Sequence, residues 1–268
     1  MCHITASRER QVLLVADAHL PLDDRPFSRL SPSWAGRPCY AFPADEQRQI
    51  FRNMLENEGK TAQVVILLGD IFDFWYEWEN VIPKRAVSIF YVIHELIRNG
   101  SQVHFFAGNH DFRIQGFLET EVGMILHPNQ WSAEINQRRV YFNHGDGFAP
   151  SDRGYRRLKK TLRNHQLQAL FGKLFHPDLA MNLGRFASLG GRSRYNYLPD
   201  HKRPDGEYLI TAQKILAGGY DLVIIGHTHH QKLVQLQGGW YHNPGPFMYE
   251  RCYSVIHDDL PIGKIWKL

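Results

Sequence analysis

No stretch of this 268-residue chain has the roughly 18 consecutive apolar residues of a membrane span, and its longest apolar runs are strand-sized. Cysteine is scarce: Cys2, Cys39 and Cys252 are far apart and odd in number, which argues against a disulfide framework or a cysteine-built zinc knuckle and fits a reducing compartment. Met1-Cys2-His3-Ile4 lacks the apolar stretch of a secretory signal, so the expected location is the cytoplasm. Internal repeats and low-complexity tracts are missing too. With 43% hydrophobic and 22% charged residues the composition is that of a folded globular protein, not of a disordered one. A chain of this length buries a substantial core as one large domain, or as one domain carrying an insertion.

The net charge of +4 is unevenly spread. Residues 151 to 203 hold twelve Lys or Arg against three Asp or Glu, a local +9. A block of this kind points to an anionic partner: a phosphate-bearing substrate, an acidic membrane surface or nucleic acid. A solvated helix face is the plain alternative.

Taken in order, Gln11 to Ala16 reads as a buried strand. An irregular, proline-rich stretch from Leu20 to Pro43 follows, read as a packed surface loop. Ala44 to Glu58 is a helix stopped by Gly59, and Val64 to Leu68 is the next strand. Strand, helix and strand in this order form the crossover unit of a parallel sheet. The aromatic patch Phe74-Trp75-Tyr76-Glu77-Trp78 reads either as packing under a loop or as a lining for an apolar ligand. Pro83 suits the first turn of a helix running to Arg98. Gln102 to Ala107 is a third strand, and Trp131 to Ile135 and Arg139 to Asn143 flank a turn at Asn136-Gln137-Arg138. The basic, helix-prone stretch Tyr155 to Leu174 dominates a helical insertion expected over 148–206 of a single 1–268 domain. Glu207 to Ala217 resumes the alternating pattern, Leu222 to Ile225 is another buried strand, and the tail reads as two or three antiparallel strands.

Five of these apolar runs end in polar clusters: Asp17-Ala18-His19, Gly69-Asp70-Ile71-Phe72-Asp73, Gly108-Asn109-His110-Asp111, His144-Gly145-Asp146 and Gly226-His227-Thr228-His229. In an open α/β sheet, strand ends of this kind meet at one crevice. Asp, Asn and His are oxygen and nitrogen donors suited to Mn, Fe, Zn and related divalent ions, and no cysteine enters any cluster. About eight donors exceed what one ion takes, and two ions about 3.5 to 4 Å apart, sharing a carboxylate, make a site for phosphoryl displacement. The other histidines, among them His104 and His127, lie outside the pattern and read as structural or exposed. Asp73 and Asp146 read as supports that orient the donors.

The set resembles the calcineurin-like metallophosphoesterase superfamily, whose pattern Asp-x-His, Gly-Asp-x-x-Asp, Gly-Asn-His-Asp, His-Gly-Asp and Gly-His-Thr-His is met in full. That resemblance implies a two-sheet α/β sandwich flanked by helices. It also implies one metal held by Asp17, His19, Asp70 and His229 and a second by Asp70, Asn109, His144 and His227, with Asp70 bridging. It makes His110 a catalytic residue that stabilises charge on the phosphate or protonates the leaving oxygen, with Asp111 as its partner, and two divalent ions, Mn foremost with Fe or Zn as alternatives, the cofactors.

Within the superfamily the chain is similar to the UDP-2,3-diacylglucosamine hydrolases of lipid A synthesis. The likeness rests on Gly69 to Trp75, on His144-Gly145-Asp146-Gly147 followed by Asp152 and Tyr155, and on the basic helical insertion before Gly226. It implies a lid over acyl chains, substrate contacts at Asp152, Tyr155 and Arg156 with Asn196 and Lys202 as further candidates, and cleavage to 2,3-diacylglucosamine 1-phosphate and UMP. The implied place of work is the cytoplasmic face of the inner membrane, as a peripheral protein. The chain departs from many of those hydrolases at His110, where they carry arginine. A phosphodiesterase or nuclease is the alternative enzyme and a non-catalytic scaffold the alternative to an enzyme. The leading reading expects no nucleic-acid partner, and no protein partner is inferable.

Overall fold

Alternation in the central strands dictates layers on both sides of a sheet. Val12, Leu14, Val64 and Ile66 face one way and Leu13, Val15, Val65 and Leu67 the other, and all eight are buried. The computed structural model describes residues 2–24, 43–184 and 205–267. In chain order its strands are β1 (Cys2–Ile4), β2 (Gln11–Val15), β3 (Ala62–Leu67), β4 (Trp75–Tyr76), β5 (Gln102–Phe106), β6 (Asp111–Arg113), β7 (Ile125–His127), β8 (Trp131–Ile135), β9 (Arg138–Asn143), β10 (Leu222–Ile225), β11 (Lys232–Leu236), β12 (Gly239–Asn243), β13 (Cys252–Ile256) and β14 (Ile262–Ile265). The helices are α1 (Ala44–Glu58), α2 (Val87–Arg98), α3 (Phe117–Thr120), α4 (Arg153–Leu162), α5 (His165–Leu174), α6 over residues 177–184, α7 (Asp205–Ala217) and α8 (Phe247–Glu250).

Two mixed six-stranded sheets result, in the orders β14-β13-β2-β3-β5-β7 and β1-β8-β9-β10-β12-β11. Between them lies an apolar layer in which Val12, Leu14, Val64, Ile66 and Phe106 meet Ala133, Val140, Phe142, Leu222 and Ile224. The outer face of the first sheet is covered by α1 and α2 through Ile50, Phe51, Met54, Leu55, Ile89, Phe90, Ile93 and Leu96. Asp45 and Glu46 in the first turn of α1 complement its dipole. Helix α7 covers the second sheet with Tyr208, Ala212 and Leu216. This is the two-sheet sandwich that the family resemblance implies.

Several details differ from the sequence reading. Asn136 (φ 48°) and Gln137 (φ 66°) form a two-residue turn with Ile135 paired to Arg138, so Arg138 belongs to the strand. Left-handed backbone at both central positions matches the twist of the flanking strands. The helix-prone stretch Tyr155 to Leu174 is divided between two helices, because the Asn164 side chain caps α5 by accepting from the amides of Gln166 and Leu167. In the tail, β12 runs parallel to β10. The aromatic patch is a docking platform: Phe74, Tyr76 and Trp78 pack with Ala180, Phe171 and Phe175 of the 153–184 helical segment, and the Tyr76 hydroxyl donates to the Gln168 carbonyl. Residues 25–42 of the expected surface loop, and 185–204 of the expected insertion, lie outside the described residues. Among the described residues no helix is long and apolar enough to cross a membrane.

Candidate metal centre

β2, β3, β5, β9 and β10 end in the loops that carry the five polar clusters. Their backbone is bent sharply to turn side chains inward: Asp17 (φ 51°), His19 (42°), Asp70 (52°), His227 (66°) and His229 (52°) all occupy the left-handed region. For non-glycine residues this costs about 1–3 kcal/mol each and persists only where surrounding structure enforces it. Two glycines make the convergence possible. A Cβ on Gly69 would run into the His144 ring, and one on Gly108 into the Asp70 carboxylate.

Two groups of donors form. In the first, His19 Nε2 lies 3.2 Å from His229 Nε2, and His229 Nε2 lies 3.4 Å from Asp17 Oδ1. In the second, His144 Nε2 is 3.3 Å from Asp70 Oδ2, 3.2 Å from His227 Nδ1 and 3.4 Å from Asn109 Oδ1. Asp70 Oδ2 links the two groups, since it also lies 3.8 Å from His19 Nε2. His110 flanks both, with Nε2 4.0 Å from Asp70 Oδ2. Its Nδ1 bonds the Asp73 carbonyl at 2.7 Å. The Asp111 carboxylate, read from sequence as the partner of His110, accepts from the amides of Gly108 (2.9 Å) and Asp70 (3.2 Å) and so ties two donor loops together.

The electrostatics call for positive charge. His144 Nδ1 donates to the Leu68 carbonyl at 2.8 Å, so in a neutral ring Nε2 turns its lone pair on the oxygens of Asp70 and Asn109. Acceptors facing one another need a proton or a cation between them. Burial opposes a charge on His144, but Asp70 overrides it and pushes the imidazole up to about 10. Burial likewise works against ionising Asp70, yet His144, His110 and His19 hold its carboxyl well below the usual range. Burial and the neighbouring His144 bring His227 down to about 4. Asp17 Oδ1 is buried with no hydrogen-bond partner, an arrangement that is costly unless a ligand completes it. The residues present therefore fit divalent cations, and oxygen and nitrogen donors without thiolate suit the Mn, Fe and Zn range.

The structure thus brings Asp17, His19, Asp70, Asn109, His144, His227 and His229 together with His110. Of the expected substrate contacts, the Tyr155 hydroxyl donates to Asp146 Oδ2 at 2.9 Å, and Arg156 donates to the carbonyls of Gly147, Ala149 and Pro150. Asp152 precedes α4, partly buried. Asn196 and Lys202 lie outside the described residues. Asn243 supports the site from outside the five strand-end clusters. It is fully buried at the end of β12 and donates to the Gly226 carbonyl (2.9 Å) and the Thr228 hydroxyl (3.0 Å), fixing the turn between His227 and His229. Its signal in the sequence is weak: Asn243-Pro244 follows the short segment Trp240-Tyr241-His242, and proline marks the end of the strand.

Fold and site together define a metal-dependent phosphoester hydrolase. The chain belongs to the calcineurin-like phosphoesterase family, whose sequence model matches residues 10–231. It is similar to a UDP-2,3-diacylglucosamine hydrolase of Porphyromonas gingivalis, 26% identical over 78% of this chain and 88% of that protein. It is also similar to one of Sodalis glossinidius, 27% identical over 78% of this chain and 89% of its relative. A zinc-bound Vps29 of Entamoeba histolytica aligns with 94% of this chain and 88% of its own at 16% identity and a TM-score of 0.42.

Proposed function

We propose that this hydrolase cleaves the diphosphate of UDP-2,3-diacylglucosamine to give 2,3-diacylglucosamine 1-phosphate and UMP. Asp17, His19, Asp70 and His229 hold one divalent ion and Asp70, Asn109, His144 and His227 the other, with Mn the favoured metal. The observation that carries the hydrolytic reading is the crowding of acceptor atoms around Asp70 Oδ2, which faces both donor groups. When bound, two such ions polarise phosphoryl oxygens and lower the pKa of water at neutral pH. The chain's own residues do the rest. Asp70 holds its charge between the two groups, and Asp111 fixes the loops on either side of it. His110, oriented by the Asp73 carbonyl, presents Nε2 beside the carboxylates, where it stabilises charge on phosphate or hands a proton to the leaving oxygen.

Choice of substrate falls to an insertion over 148–206 within a single domain. The helices over 153–184 expose Leu158, Leu167, Leu170 and Leu174 among basic side chains. Apolar surface beside cations suits a diphosphate that carries two acyl chains, and it lets the protein rest at the cytoplasmic face of the inner membrane without spanning it. The 26–27% identity to UDP-2,3-diacylglucosamine hydrolases supports the same substrate. The local +9 favours a second reading, a phosphodiesterase acting on nucleic acid, whose binding falls steeply with salt. Incubation with UDP-2,3-diacylglucosamine in detergent micelles and Mn²⁺ should release UMP and the lipid-linked sugar phosphate, both identified by mass. Release of UDP, or turnover of nucleic acid alone, would refute the assignment.

A further inference from the structure

Tyr155, Lys159 and Arg163 recur every fourth residue and share one face of α4 and its C-terminal cap. Lys159 Nζ lies 2.7 Å from Asp146 Oδ2 and donates to the Asp146 carbonyl at 3.1 Å. Tyr155 reaches the same carboxylate oxygen. One turn further on, the Arg163 guanidinium donates to the carbonyls of Pro128 (3.0 Å), Ala107 (3.3 Å) and Gly108 (3.4 Å). Asp146 stands two residues beyond His144, and Gly108 immediately precedes Asn109. One face of α4 therefore grips both loops that present His144 Nε2 and Asn109 Oδ1, atoms 3.4 Å apart.

We propose that Lys159 and Arg163 are positioning residues of the second donor group, and that α4 sets the affinity of Asp70, Asn109, His144 and His227 for their cation. The proposal rests on the two-ion reading of the site. A neutral amide such as Asn109 is a weak donor whose contribution depends on where its oxygen is held. Lys159 is suited to such holding, because its partner Asp146 is almost fully buried and a charge-assisted bond there is stronger than one in water. The first group is braced from elsewhere. The His227 amide donates to Asp17 Oδ2 at 2.9 Å, the Met248 amide to the Asp17 carbonyl at 3.2 Å, and Asn243 fixes Thr228. The helical segment thus grips the second group, whereas the sheet framework ties Asp17 to His227 and so reaches both.

Titration of the metal-stripped full chain with Mn²⁺ in a calorimeter tests this. Wild type is expected to show two binding events. Lys159→Met and Arg163→Met, each made singly, should weaken one event about 10- to 100-fold, the usual cost of removing a residue that supports a ligand, and leave the other unchanged. Lys159→Arg should restore most of the loss. Lys173→Met, which removes an exposed charge from α5, should match wild type. Two unaltered events in both single variants would overturn the proposal, as would equal weakening of both events, the mark of general loosening. A single event in wild type would overturn the two-ion reading itself.

Discussion

The strand-end loops and the 153–184 helices touch through Lys159 and Arg163 and are built on opposite terms. Asp17, His19, Asp70 and His144 are at most 1% exposed and are held by backbone amides and glycine contacts, whereas Leu167, Leu170 and Leu174 are 48–70% exposed. The first region is rigid, charged and dry enough to hold cations. The second is a surface of leucine and arginine resting on an aromatic platform. In the proposed function, chemistry belongs to the part held by packing, and recognition to the part with apolar surface still to cover.

That contrast can be broken or sharpened by experiment, beginning with the largest effect. Asp70→Ala should reduce turnover to background and abolish metal loading while circular dichroism stays native, because the carboxylate is shared by both donor groups. Retained turnover would place the chemistry elsewhere. Phe51→Ala, on the buried face of α1, should cost about 3–5 kcal/mol in urea unfolding and leave the KM of the surviving folded enzyme unchanged. Leu174→Glu should do the reverse, with unchanged stability, an unchanged rate on a water-soluble phosphodiester, and a KM for the micellar lipid raised about tenfold, as expected for losing one leucine contact.

The smallest effect concerns pH. His104 Nδ1 and His127 Nε2 meet at 2.8 Å between β5 and β7, and burial brings both imidazoles down from 6.5 to about 4. Between those values the unfolded chain binds more protons than the folded one, so stability rises with pH. The urea midpoint should therefore fall as pH drops from 6.5 towards 4, and His104→Phe should flatten the decline. An identical pH slope in wild type and His104→Phe would rule the pair out, since the Asp111 carboxyl, raised to about 7, contributes with the opposite sign in both.

What could be read from sequence was what local rules control. The bounds of α1 agree residue for residue with a helix stopped by Gly59, and each polar cluster is announced by the apolar run before it. The two-residue hairpin and the break at Asn164 turn on single side chains able to take a left-handed backbone or cap a helix, features that periodicity does not register. β1 and β7 are three residues long and exist only because a neighbour pairs with them. The ties from Lys159 to Asp146 and from Arg163 to Gly108 were invisible for another reason: charge composition signals that cations are present, but not which carbonyl or carboxylate each one finds.

Five donor residues in left-handed backbone have a consequence for how this chain tolerates change. At Asp17, His19, Asp70, His227 and His229, replacement by glycine would relax the main chain while deleting the donor. At Asp17 and Asp70 it would also strip the carboxylates that accept from the His227 and His110 amides. Each donor therefore carries two duties at once, holding a strained loop and facing the site, and no single substitution can relieve the one without giving up the other.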